Sequence, residues 1–105
     1  MDKNQLLEEL KGIRRVVINN CYGGFGLSDA AVERYKELTG ITDNLFYYEV
    51  ARDDPYLVKI VREMGEAANG PCSNLKIVEI PADIEWWVQE YDGIEWVAEA
   101  HRTWK

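Results

Sequence analysis

Between Cys21 and Gly26 the chain reads Cys21-Tyr22-Gly23-Gly24-Phe25-Gly26, three glycines in four positions, wedged between a β-branched run and a helix start. This is the strongest local constraint in the sequence. Upstream, Arg15-Val16-Val17-Ile18-Asn19-Asn20-Cys21 has the composition of a central strand. Downstream, Ser28 is a good N-cap for a helix whose apolar positions Ala31, Tyr35 and Leu38 recur at helical spacing, with Gly40 as the stop. A strand that passes through a glycine-rich turn into a helix N-terminus can serve as an anion site. Its glycines let backbone amides approach a ligand closely, and the helix start supplies free N–H donors. The spacing Gly-Gly-x-Gly is neither the dinucleotide fingerprint nor the phosphate-binding loop, and no lysine follows at the required place. Asp29 would also oppose a phosphate. The competing reading is that the glycines only permit a tight connection and close packing of strand on helix.

The remaining elements follow from periodicity and punctuation. A first helix is expected over residues 3–11, with Leu6, Leu7 and Leu10 as its apolar stripe and Gly12 as its end. A strand is expected over residues 45–50. Asp54-Pro55 starts a helix in which Leu57, Ile60, Val61, Met64 and Ala68 form the clearest amphipathic stripe, and Asn69-Gly70-Pro71 ends it. Residues 75–80 read as a strand. Residues 84–91 and 94–101 read as a hairpin closed by Asp92-Gly93. A two-residue turn sets Trp87 opposite Ala98, Val88 opposite Val97, Gln89 opposite Trp96 and Glu90 opposite Glu95. The expected fold is α+β with α/β-like order, in one domain spanning residues 1–105: a mixed sheet of about five strands with helices packed on it and a C-terminal β-hairpin.

Composition narrows the function classes. With 19 acidic and 12 basic residues among 105, the net charge is −7 and the basic residues are scattered, which disfavours general nucleic-acid binding. An acidic surface suits a basic protein partner or imitation of a nucleic acid; the simpler alternative is that it maintains solubility. No run approaches a membrane span, and the charged N-terminus lacks the pattern of a signal peptide, so a cytoplasmic protein with no membrane association is expected. Two cysteines, Cys21 and Cys72, are too few for a disulfide framework or a zinc site and are expected as reduced, buried thiols. Four Trp and six Tyr around a small core allow homo-oligomerisation.

Candidate chemistry is thin. Cys21 and the single histidine, His101, would be the nucleophile and base of a hydrolase, without any local signature in support. Glu95, Glu99 and His101 share a hairpin face but lack metal-ligand spacing, so a solvated acidic face is expected and no metal is assigned. Directly opposed Glu90 and Glu95 are unfavourable unless a basic side chain, a metal or a partner compensates. Arg52 and Arg102 can clamp a carboxylate or phosphate, with local ion pairs as the alternative. The ligand-binding candidates are therefore Tyr22, Gly23, Gly24, Phe25, Gly26, Ser28, Arg52 and Arg102. Binding is favoured over catalysis, and no cofactor is called for.

Cys21-Tyr22-Gly23-Gly24-Phe25-Gly26-Leu27-Ser28, Arg52-Asp53-Asp54-Pro55, Glu90-Tyr91-Asp92-Gly93-Ile94-Glu95 and His101-Arg102-Thr103-Trp104 together make the chain resemble a family of small proteins encoded by bacteriophages and prophages. The resemblance spans most of the sequence. It implies a phage origin and a host-cytoplasm setting, in which host takeover or counter-defence is a common role, and it carries over no catalytic residue, cofactor or mechanism. Three functions follow as expectations. The first is a binding protein for a small anionic or nucleotide-like ligand at the glycine turn. The others are an acidic module that docks a host protein or mimics nucleic acid, and a Cys21/His101 hydrolase.

Overall fold

The computed structural model describes residues 12–42 and 50–99, together with the backbone of 103 and 104. The helix expected over residues 3–11 and nearly all of the strand expected over 45–50 lie outside the described residues.

Strand β1 (Ile13–Asn19) pairs antiparallel with β2 (Leu75–Pro81), with Val16 opposite Val78. Consecutive residues of β1 face opposite sides, and both sides are covered. Val17 joins the helical core with Leu27, Ala31, Tyr35, Leu57, Val58, Ile60 and Val61. Val16 and Ile18 join Val78, Ile80 and Val97 in a second core. A β-branched run without polar alternation is what burial on both faces demands. The architecture is three layers: helices, the β1–β2 ribbon, then the hairpin sheet.

Helix α1 (Asp29–Thr39) begins at Ser28, whose Oγ accepts the Ala31 amide at 3.1 Å, and ends at Gly40. Helix α2 (Pro55–Met64) begins at Asp54, whose Oδ1 accepts the amides of Tyr56 at 2.8 Å and Leu57 at 3.2 Å. These bonds satisfy donors that a helix start otherwise leaves open. A 3-10 turn (Gly65–Ala68) extends α2 and carries Ala68 into the core. Leu57, Val58, Ile60 and Val61 are all buried, so α2 supplies most of the helical layer's contribution. At about 1.5–3 kcal/mol for each fully buried aliphatic side chain, this far outweighs helix propensity.

Strands β3 (Trp87–Tyr91) and β4 (Ile94–Ala98) form the hairpin in the expected register, Trp87 opposite Ala98 and Glu90 opposite Glu95. A two-residue strand, β5 (Thr103–Trp104), pairs with β4. The α+β class stands, but the mixed five-stranded sheet does not. Among the described residues the strands divide into a two-stranded and a three-stranded sheet, and every pair is antiparallel. The hairpin packs across the face of β1 rather than beside its edge.

Candidate functional site

The glycine turn and the hairpin turn meet back to back. Asp92 and Gly93 both take positive φ, 53° and 94°, as a type I′ turn requires. A methyl group on Gly93 would lie 2.5 Å from the Gly24 nitrogen and closer still to that of Gly23. On its other side, a methyl on Gly23 would stand 2.9 Å from the Cys72 Cβ and collide with the Cys72 carbonyl oxygen. The Gly26 carbonyl accepts the Gly70 amide at 3.1 Å and the Ser73 hydroxyl at 2.7 Å. Three turns, at 21–26, 69–74 and 92–93, thus pack through their backbones, and the missing side chains make that possible.

Asn19, fully buried at the end of β1, ties this assembly together. Its side-chain amide donates to the carbonyls of Cys21 at 2.8 Å and Gly93 at 2.7 Å, while Oδ1 accepts the Asn74 amide at 2.8 Å. The Asn19 backbone amide donates to Glu95 Oε1 at 2.8 Å. Every polar atom of the Asn19 side chain is engaged, as a buried amide requires.

Glu95 is the second centre. It is only 6% exposed, which overturns the expected solvated acidic face. Arg52 meets it with both terminal nitrogens, Nη2 lying 2.9 Å from Oε2, and the guanidinium stacks 3.6 Å from the centre of the Phe25 ring. The repulsion between opposed Glu90 and Glu95 is therefore relieved by a basic side chain. On the other strand the Gly93 amide donates to Glu90 Oε2 at 2.6 Å. Among the described residues no group of three or more His, Cys, Asp or Glu could hold a metal.

The eight binding candidates separate accordingly. Tyr22, Gly23 and Gly24 line an open cleft of about 500 Å³ whose other wall is Glu90, Asp92 and Gly93. Tyr22 is 69% exposed and presents its ring to solvent. Phe25 lies against Arg52, Gly26 is engaged with Gly70 and Ser73, and Arg52 is spent on Glu95. The Ser28 hydroxyl caps α1 and donates to the Ala67 carbonyl at 2.6 Å, so it faces the 3-10 turn rather than a ligand. Arg102 and His101 lie outside the described residues. Sequence reasoning missed Asn19, Glu90 and Asp92 as parts of this region, although the opposed glutamates signalled that a basic side chain, a metal or a partner had to compensate.

Cys21 and Cys72 also depart from expectation, because Cys72 is exposed and Cys21 is half-buried. Among the described residues no helix is long and apolar enough to cross a membrane. Comparison of the chain with protein-family models, with curated proteins and with solved structures gives no match.

Proposed function

We propose that this chain is a non-enzymatic binding protein of phage origin that takes a cationic group, the ammonium or guanidinium of a basic host protein, into the cleft between its glycine turn and its hairpin turn. The observation that carries the reading is the cleft's lining. Glu90 and Asp92 line it together with the exposed Tyr22, and none of the six lining residues is basic. Carboxylates beside an aromatic face attract a cation by charge and by the ring quadrupole together. The nearest expected anion clamp, Arg52, is neutralised by Glu95. The chain's net charge of −7 adds a longer-range attraction for a basic partner. A role in host takeover or counter-defence fits such a blocking module.

Calorimetry of the intact protein against arginine-rich and lysine-rich peptides, and against a panel of nucleotides, tests this reading. Peptide binding should weaken as salt rises and should be lost in a Glu90→Gln/Asp92→Asn variant. Both replacements preserve the turn: Gln keeps an acceptor for the Gly93 amide, and Asn tolerates positive φ. Failure of every basic peptide to bind would overturn the proposal. Nucleotide binding in its place would favour the small anionic ligand, for which Tyr22 offers a stacking face.

A further inference from the structure

Cys21 and Cys72 are 51 residues apart in the chain, yet the Cys21 Sγ lies 3.7 Å from the Cys72 carbonyl oxygen. Cys72 is an exposed residue and Cys21 a half-buried one. The turns that carry them are in backbone contact, with Gly23 packed on the Cys72 Cβ and Gly26 bonded to Gly70 and Ser73. A residue's Cβ stands about 3 Å from its own carbonyl oxygen, so the Cys21 Sγ is within about 7 Å of the Cys72 Cβ. In a disulfide each Sγ stands about 3 Å from the opposite Cβ, so the exposed turn around Pro71 and Cys72 has to close on Cys21 by up to about 4 Å for the bond to form.

We propose that Cys21 and Cys72 are a reversible thiol–disulfide pair, oxidised by low-molecular-weight disulfides such as oxidised glutathione. The more exposed Cys72 reacts first. Its thiolate attacks one sulfur of the small disulfide, forming a mixed disulfide, and the expelled thiolate takes up the proton Cys72 lost. The Cys21 thiolate then attacks the Cys72 sulfur and expels the second small thiolate, which is protonated in turn. Two protein thiols are oxidised to one disulfide, and one small disulfide is reduced to two thiols. The new bond fastens the glycine turn to the turn that follows the 3-10 segment, and so fixes the wall of the cleft that carries Tyr22. The inference rests on the thiol geometry alone and is independent of what the cleft binds.

Equilibration of the intact protein in glutathione buffers of graded redox poise, followed by acid quench, alkylation and intact-mass measurement, tests it. Wild type should convert to a monomer lighter by two hydrogens with both cysteines protected from alkylation, and a dithiol reductant should restore it. Its thermal midpoint should rise on oxidation. Cys21→Ser should instead accumulate glutathione on Cys72, because the resolving thiol is gone, while Cys72→Ser should react more slowly. Stable mixed disulfide on wild type to the same extent as on Cys21→Ser, a covalent dimer as the main product, or two thiols that stay alkylatable would each overturn the proposal.

Discussion

Arg52 and Glu95, 43 residues apart, form a two-point ion pair that joins the loop before α2 to the middle of the hairpin. The Glu95 carboxylate also accepts the Asn19 amide, so one side chain links the helical layer, β1 and the hairpin sheet. Removing one partner from a pair this buried leaves a desolvated charge, which typically costs about 3–5 kcal/mol. Glu95→Ala should therefore lower stability by about 3 kcal/mol or more in urea denaturation. Glu95→Gln, which keeps an acceptor for Asn19, should cost less. Combined with Arg52→Met, it should show a coupling energy above about 1 kcal/mol in a double-mutant cycle. Additive losses would mean that the pair does not hold the layers together.

The two glycine-bearing turns make a sharper comparison. Gly93 and Gly24 both have positive φ, 94° and 95°, but their surroundings differ. A methyl at Gly24 meets nothing within 4 Å, whereas one at Gly93 collides with backbone nitrogens of the glycine turn. Gly24→Ala should cost only backbone strain, about 1 kcal/mol. Gly93→Ala must separate the two turns and should cost at least about twice that. Equal losses in denaturant titrations would show that the turns are not in contact in solution.

These contrasts also show what could be read in advance and what could not. Three helix limits were legible because Ser28, Gly40 and Asp54-Pro55 act on their own neighbours, and capping is local chemistry, but the α-helix after Asp54 ends at Met64, before the expected stop at Asn69-Gly70-Pro71. The hairpin register was legible because Asp92-Gly93 fixes it through turn length alone. The sheet was not. Val16-Val17-Ile18 announces burial on both faces, but not whether the hairpin lies beside β1 or across it, since either arrangement buries the same residues. Both halves of the Arg52–Glu95 pair carried a signal, a loop arginine and a glutamate with a like charge opposite it. Nothing in the spacing joined them, because the distance between them is set by the stacking of layers. The packing of Gly23 against Gly93 was hidden for the same reason.

Helix α2 depends on Asp54 for more than its cap. One carboxylate oxygen accepts the two first-turn amides, and the other accepts the Tyr35 hydroxyl at 3.0 Å, tying α1 to α2. Asp54→Ala should lose both functions and cost about 2 kcal/mol, the upper end for a cap. Ser28→Ala, whose hydroxyl caps α1 and bonds the Ala67 carbonyl, should cost about 1 kcal/mol. Thermal or urea unfolding gives both values. A smaller loss at Asp54 than at Ser28 would contradict the double role.

Tyr35 gives this contact a pH signature. Burial, the hydrogen bond to Asp54 and the Asp54 charge together push the phenol from the ordinary 10.0 up to about 12. Ionisation is harder in the folded chain than in the unfolded one, so the unfolded state holds fewer protons between those values. Its contribution to stability is fully present below about pH 10 and is lost as pH rises toward 12. Urea unfolding midpoints followed across that window should fall more steeply for wild type than for Tyr35→Phe, which has no proton to lose. Asp54→Asn should flatten the wild-type slope part of the way, because it removes the neighbouring charge and leaves the burial. Identical slopes for wild type and Tyr35→Phe would show that the phenol ionises as freely in the folded protein as in the unfolded chain.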